Sequence, residues 1–231
     1  MVKNILIVGG SSGIGLALAR HYVAAGHRVC ITGRSNPQLQ NAQFFQLNIT
    51  ASSAALAADI DALATAFPGV QTLVYAAGFL QRGTIDHLAD DALQTMVHVG
   101  LLAPMMLIAR LKPLAPTPLK LMLLTSSSQY TPRGSEPAYT ATKASLGMLG
   151  ASLARDAGIG KVLVAAPSGT QSPFWRGTNE DISSMLDPAW VAQQIVDLSG
   201  GAFKYRYAKL LRQPARVEVV ETLDSHFNAI P

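Results

Sequence analysis

The stretch ILIVGGSSGIG, residues 5–15, decides the fold of this chain. Its first four residues form an apolar run without alternation, which is typical of a strand buried on both faces of a parallel sheet. Glycines follow, and residues 16–22 then have the composition of a helix. Glycines in this position let the backbone approach a pyrophosphate, and free N–H groups at the helix start bind the anion. The stretch predicts an α/β fold with a doubly wound parallel β-sheet flanked by helices on both faces, unless the glycines form only a tight turn.

The composition is that of a globular protein, and its mild basicity fits a phosphorylated small ligand at least as well as a polymer. Of the 231 residues, 49% are hydrophobic and 14% are charged, so we expect one α/β domain over residues 1–231. The 18 basic and 14 acidic residues are spread thinly, which suits a phosphorylated small molecule and gives no reason to expect a nucleic-acid partner. The one cysteine, Cys30, excludes a disulfide framework and a zinc cluster, so we expect no metal.

The start of the chain and its most apolar segment bear on location. The first residues lack the layout of a signal peptide, and the low cysteine content fits a reducing cytoplasm, so we expect a cytoplasmic protein. The apolar stretch around Val99 to Ala109 is too short to span a bilayer and contains Pro104. We interpret it as a buried helix and expect no membrane association.

A second pattern, Tyr139-x-x-x-Lys143, places a phenol and an amine four residues apart. On a helix this spacing puts both side chains on one face. Bringing a tyrosine from its usual pKa of about 10 to neutral pH takes roughly 4 kcal/mol, which one positive charge about 4 Å away supplies in a partly shielded site. We therefore expect Tyr139 to be a general acid or base at working pH. Without the glycine turn, a solvated helix face would be the simpler interpretation.

Together, the glycine turn and the Tyr139/Lys143 pair resemble the short-chain dehydrogenase/reductase family, specifically from about residue 3 to 173. The resemblance implies a Rossmann-type fold and an oxidoreductase that transfers hydride between nicotinamide and a carbonyl or alcohol substrate. Tyr139 would exchange the proton, and Lys143 would lower the pKa of the tyrosine and hold the nicotinamide ribose. A serine 13 residues before the tyrosine would bind the substrate oxygen. That count falls on Ser126, with Ser127 and Ser128 as alternatives.

The resemblance also assigns the cofactor site. The predicted second strand ends at Arg34 without the acid that would bind the ribose of NAD, and a guanidinium suits a 2′-phosphate. We therefore expect NADP(H) to be preferred over NAD(H), the alternative being a solvated surface arginine. Asn48 offers a side-chain acceptor for the adenine. The expected cofactor-binding residues are Gly9, Ser11, Ser12, Gly13, Ile14, Gly15, Arg34, Asn48, Ile49, Ala76, Ala77, Gly78, Tyr139, Lys143, Pro167 and Thr170.

Three departures from the family pattern leave the activity open. Val8 replaces a threonine before the glycine turn, and Tyr75 and Ala76 replace two asparagines. Gly100 falls where the family has an asparagine thought to hold a water that relays protons to the lysine. Either water fills that place against a backbone carbonyl or the relay is impaired, and His98 should point elsewhere.

Two further functions stay open as alternatives. A sensor or scaffold that binds NADP(H) with little catalysis would explain the departures. An isomerase, epimerase or dehydratase would use the same tyrosine and lysine, although no sugar-nucleotide domain is evident.

The remaining chain carries four expectations. Asp90 to Leu111 should form a long helix with a soft break near Pro104, and Ser52 should cap the helix before it. Residues 169–187 resemble a substrate loop whose apolar side chains suggest an apolar or ring-containing substrate, or else core packing. Ala215 to Val220 should be the last strand, after a polar connection. Small residues along the helix from Ala144 to Ala157 permit close packing. In the family this helix and the one around Gly100 commonly pair between subunits, so the resemblance implies a homodimer or homotetramer, unless the helix packs only within its own monomer.

Overall fold

One sheet of eight strands organises the computed structural model, which describes residues 1–50 and 52–224. In sequence order the strands are β1 (Asn4–Val8), β2 (Arg28–Gly33), β3 (Ala42–Gln46), β4 (Thr72–Tyr75), β5 (Leu119–Leu124), β6 (Ile159–Pro167), β7 (Tyr205–Arg212) and β8 (Ala215–Leu223). Across the sheet their order is β3-β2-β1-β4-β5-β6-β7-β8. The strands pair in parallel from β3 to β7, and β8 runs antiparallel to β7.

Helices cover both faces of the sheet, as predicted for a doubly wound fold. They are α1 (Gly13–Ala24), α2 (Ser53–Ala66), α3 (Asp90–Val97), α4 (Ala103–Leu111), α5 (Pro137–Leu153) and α6 (Pro188–Leu198). Alternate residues of β1 face opposite layers, because side chains of a strand alternate between the two faces. Ile5 and Ile7 pack with α1 and α6, whereas Leu6 and Val8 pack with α2, α4 and α5.

The order of the strands reverses at β1, which lies between β2 and β4. In open α/β sheets, ligands bind in the crevice outside the carboxyl ends of the strands at such a switch point. The glycine turn follows β1 directly, so the topology places it at this crevice.

The prediction of a polar connection before the last strand is wrong, because the strand β7 lies in that segment. The charged residues of β7 make the segment resemble a polar connection in the sequence. Tyr205, Ala208 and Leu210 lie among them and are buried. Arg206 donates to the Leu198 carbonyl at 2.6 Å, and Lys209 pairs with Glu218 of β8 at 3.1 Å. The final strand also extends to Leu223 rather than ending at residue 220.

The long helix is irregular near Pro104, as predicted. A π-helical turn, His98–Leu102, connects α3 to α4, and Pro104 is the second residue of α4. The Ala103 N–H bonds the His98 carbonyl five residues back. Pro104 has no N–H to bond the carbonyl of Gly100, as an α-helix would require. The irregularity therefore lies in the turn directly before the proline.

The length of this segment also corrects the prediction that it is too short to span a bilayer. The helical run Asp90–Leu114 has 25 residues and is apolar enough to cross a membrane by length and composition. In the structure, its side chains Ala103, Leu107, Ile108 and Leu111 pack into the core beside α2. The helix before it begins as predicted, because the Ser52 hydroxyl accepts from the Ala55 N–H at 3.4 Å.

Candidate active site

A cleft of about 1150 Å³ opens at the carboxyl ends of the parallel strands. Every residue predicted above for catalysis or cofactor binding lines it, from Gly9 on the first loop to Thr170 beyond β6. His98 is absent from the lining formed by the described residues. The sequence positions of the predicted site thus meet in one place, while their individual roles stay predictions.

The glycine turn has the close packing that a dinucleotide loop needs. A Cβ on Gly9 would lie 2.6 Å from the backbone nitrogen of Ala77, and one on Gly15 would lie 2.3 Å from the carbonyl oxygen of Gly9. Gly9 and Gly13 also have φ angles of 81° and 54°, which favour glycine. Ser12 caps α1 without a side-chain bond to any described N–H, so the N–H groups at the helix start can bind an anion. The loop therefore fits a pyrophosphate.

The region expected to hold the adenosine is partly pre-arranged by its own hydrogen bonds. Ser11 donates to the Ser35 carbonyl at 2.7 Å, which joins the glycine turn to the end of β2, and Arg34 lies exposed between them. The Asn48 side-chain oxygen accepts from the N–H and the hydroxyl of Thr50, at 3.1 and 2.8 Å. The acceptor predicted to face the adenine is therefore engaged in its own turn.

Tyr139 and Lys143 lie on one face of α5, with the lysine Nζ 5.6 Å from the centre of the phenol ring. The lysine also donates to the Leu124 carbonyl at 3.1 Å. Burial raises the pKa of Tyr139 above its ordinary range, and a hydrogen bond with Ser126 opposes this only in part. Burial lowers the pKa of Lys143 to about 8. The pKa of Tyr139 therefore shifts upward rather than downward as expected, because loss of solvent exceeds the opposing effects of Ser126 and Arg133.

The three consecutive serines after β5 have different partners. The hydroxyl of Ser126 opposes the rise in the pKa of Tyr139 and donates to the hydroxyl of Ser128 at 3.4 Å, and Ser127 accepts from Arg133 at 3.0 Å. Ser128 is buried and donates to Glu136 at 3.4 Å. Of the three alternatives, Ser126 is the one whose hydroxyl faces the phenol.

The place of the family asparagine is filled by another element. A Cβ on Gly100 would lie 2.5 Å from the Cβ of Thr142, so no larger residue fits there without movement. Thr142 in turn donates to the Tyr139 carbonyl at 2.9 Å. Tyr75, which replaces an asparagine of the family, donates from its buried hydroxyl to the Val99 carbonyl in the π-helical turn. These contacts connect the departures from the family pattern to the helix that carries the Tyr/Lys pair.

The segment between β6 and α6 closes one side of the cleft. Its two ends pair at Thr170 and Leu186, with backbone hydrogen bonds of 2.9 Å on both sides of the bridge. Phe174 lies with its ring centre 6.1 Å from that of Tyr139, and the Trp175 ring nitrogen donates to the Thr170 carbonyl at 2.9 Å. Phe174 thus limits the access of water to the phenol.

Charged residues that sequence analysis missed form a group in the wall of the same cleft. Glu136 is 5% exposed, and its carboxylate lies 3.0 Å from the Nε of Arg82 and 3.7 Å from that of Arg133. Arg82 also pairs with Glu180 of the segment over the cleft. These partners are up to 98 positions apart, so no local pattern joins them. The one available signal was an acid directly before Pro137, which alone predicts only a helix cap.

The fold and the site together define a dinucleotide-binding α/β protein with a Tyr/Lys pair beside its phosphate loop. The family model described as short chain dehydrogenase matches residues 3–183. The chain therefore belongs to the short-chain dehydrogenase family.

Individual relatives agree with this family. Uncharacterized oxidoreductase DltE of Bacillus subtilis (strain 168) is 30% identical over 157 residues, which are 62% of this chain and 61% of that protein. The chain thus spans about three-fifths of the length of this curated relative.

Solved structures with less similar sequences share the fold. An alcohol dehydrogenase from Thermococcus sibiricus, complexed with 5-hydroxy-NADP, superposes with a TM-score of 0.79 at 17% identity, over 94% of this chain and 100% of that one. A short chain dehydrogenase from Burkholderia cenocepacia J2315 in complex with NADP superposes with a TM-score of 0.73 at 24% identity, over 86% and 91%.

Proposed function

We propose that this protein is an NADP(H)-dependent oxidoreductase that transfers hydride between nicotinamide and a small carbonyl or alcohol substrate. The observation that carries the proposal is the position of Tyr139, buried beside Lys143 and Ser126 in the cleft that the glycine turn enters. A phenol whose pKa is raised stays protonated at neutral pH, which is the form that donates a proton.

Each residue of the site has a defined task in this reaction. The bound nicotinamide supplies or accepts the hydride. Tyr139 donates its proton to the carbonyl oxygen, and Ser126 stabilises the charge developing there by a hydrogen bond. Lys143 holds the ribose, and Phe174 restricts water at the phenol. Exclusion of water strengthens both polar interactions.

Two observations support NADP(H) over NAD(H). Arg34 is exposed at the end of β2 and makes no ion pair within the described part of the chain, which leaves its guanidinium available to a phosphate. Two proteins of similar fold were solved with NADP or a derivative of it.

We also propose that the protein acts in the cytoplasm as a homodimer or homotetramer, without nucleic-acid or membrane partners.

The test is a panel of carbonyl compounds, assayed with NADPH and separately with NADH on wild-type protein and Tyr139→Phe. We expect the substitution to lower kcat at least about 100-fold, the low end for general acid–base catalysis, and to leave the Kd of NADPH unchanged. Tyr207→Phe is the matched control, because its hydroxyl has no partner among described residues and lies outside the cleft. Turnover retained in Tyr139→Phe would contradict the proposal.

A second function is favoured by the altered positions Tyr75, Ala76 and Gly100. A sensor or scaffold would bind NADPH tightly and show no turnover across the panel. An isomerase, epimerase or dehydratase would leave NADPH unconsumed overall. Transfer of label from 4-deuterated NADPH into the product separates net reduction from both alternatives.

A further inference from the structure

Glu136 is a buried carboxylate in the wall of the cleft, one turn before Tyr139. An acid directly before a helix usually caps it, yet Glu136 makes no side-chain hydrogen bond to any described N–H at the start of α5. Its carboxylate instead points to Arg82 at 3.0 Å and Arg133 at 3.7 Å. Two guanidiniums compensate the charge of a carboxylate removed from water. Capping therefore does not account for this residue.

A line of hydroxyl groups connects the carboxylate to the phenol. Ser128 donates to Glu136 Oε2 at 3.4 Å, and Ser126 donates to the Ser128 hydroxyl, also at 3.4 Å. At the end of this line, the Ser126 hydroxyl opposes the rise in the pKa of Tyr139. The two distances are long for hydroxyl donors, but such bonds commonly tighten once substrate binds.

The other end of this line reaches solvent. The side chain of Glu136 is 6% exposed, whereas those of Arg82 and Glu180, which lie beyond it, are 35% and 37% exposed. Tyr139 itself is 7% exposed and lies against Phe174. A phenol that has given up its proton therefore needs a path to water, and the place of the family asparagine cannot provide one through a side chain, because it is Gly100.

We propose that Ser126, Ser128 and Glu136 form the relay that returns a proton to Tyr139 after each turnover. The inference rests on the proposed function. When the phenolic O–H bond breaks, its proton forms the new O–H bond of the alcohol. Ser126 then gives its hydroxyl proton to the phenolate and takes one from Ser128. Ser128 takes one from Glu136, which is protonated transiently by water. Each oxygen of the relay gains and loses one proton, and no electrons move beyond the hydride.

The relay predicts a difference between the first turnover and the later ones. The first turnover uses the proton already on Tyr139, whereas later turnovers need the relay. In Glu136→Gln, one NADPH per site should be oxidised in a burst at the wild-type rate, and steady-state kcat should then fall about tenfold or more. Imidazole or another small acid in the buffer should restore much of the steady-state rate. A residue that only supports the fold would lower the burst and the steady state together.

Two further variants make the experiment specific. Ser128→Ala interrupts the relay and keeps the Arg82–Glu136 pair, so it should give the same burst and the same rescue even where Glu136→Gln fails to fold. Glu180→Gln removes the other partner of Arg82 without touching Ser128, and it should keep the wild-type steady state. NADPH affinity should be unchanged in all three variants.

The outcomes separate the relay from the proposed function. Wild-type steady-state rates in both Glu136→Gln and Ser128→Ala, with Tyr139→Phe inactive, would overturn the relay alone. Loss of both phases without rescue in Ser128→Ala would also overturn it. A wild-type protein without turnover, or an active Tyr139→Phe, would instead overturn the proposed function.

Discussion

At the scale of single residues, burial decides the ionisation of the Tyr/Lys pair. The spacing of Tyr139 and Lys143 predicts one helix face, and the structure places them so. The sign of the tyrosine shift could not be predicted, because it depends on burial of the phenol by other elements, including Phe174. With both side chains enclosed, the neutral forms are favoured, so Tyr139 and Lys143 shift in opposite directions.

The lowered pKa of Lys143 makes the stability of the protein depend on pH. Below about pH 8 the lysine is charged in the folded and the unfolded protein, and its burial costs stability. Between about 8 and the ordinary value of 10.5, only the unfolded state keeps the proton, so stability rises with pH. Relative to Lys143→Met, the unfolding free energy of the wild type should increase by about 3 kcal/mol from pH 7 to pH 10.5.

Urea unfolding of both proteins at the two pH values measures this increase. The exposed Lys3→Met serves as the control, since it removes a lysine without relieving burial. If the difference between wild type and Lys143→Met were the same at both pH values, Lys143 would titrate alike in the folded and unfolded protein.

At the scale of secondary structure, the contact between α5 and the π-helical turn is where the chain departs most from its family. Sequence alone predicts a helix over this region with a soft break near Pro104. It does not predict that Thr142 fills the place beside Gly100, because 42 residues separate the two and neither belongs to a motif. Sequence also did not predict β7, because its buried residues lie among lysines and arginines. Those charged side chains bond to neighbouring elements, which the sequence does not reveal.

We expect Gly100→Ala to destabilise the protein by about 1–3 kcal/mol, as overpacked core sites do. In a solvated helix the same change stabilises by up to about 1 kcal/mol, so the sign itself is informative. The clash is with the Cβ of Thr142, 2.5 Å from the added methyl group, and shortening the threonine to alanine would not relieve it. Thermal and urea unfolding of Gly100→Ala, Thr142→Gly and the double variant measure the effect.

The double variant supplies the control for this prediction. Its loss of stability should be smaller than the sum of the two single losses by about 1 kcal/mol or more, because removing the Thr142 Cβ makes room for the new one. Additive losses would mean that the two helices separate instead of clashing, and the close approach would not be what requires glycine.

At the scale of the whole molecule, parallel pairing determines where the site forms. The carboxyl ends of parallel strands meet at one edge, so motifs spread from residue 9 to residue 170 could be assigned to one cleft from sequence. The charged group of Arg82, Glu136 and Glu180 could not, because its members lie in loops and at a helix start without a shared pattern. The antiparallel pairing of β8 with β7 could not be predicted either, because sequence analysis missed β7.

The outer surface of the same helices leads to the last prediction. Val97, Met105 and Met148 are 47%, 45% and 67% exposed on the helical run 90–111 and on α5, which contact each other. An apolar surface on two adjacent helices is suited to a second copy of the chain. We therefore expect the wild type to have a mass of two or four times 24.4 kDa in light scattering after size exclusion.

Met105→Glu combined with Met148→Glu should convert this oligomer into the monomer. Each methionine loses about 1.5–3 kcal/mol of burial in every copy, and each new carboxylate opposes burial further. Val219→Glu, at an equally exposed apolar position on β8, should leave the oligomer intact. If that control dissociated the protein while the methionine variant did not, the subunits would associate through the edge strand β8. The face of α5 that carries Met148 would then be exposed to solvent in the oligomer.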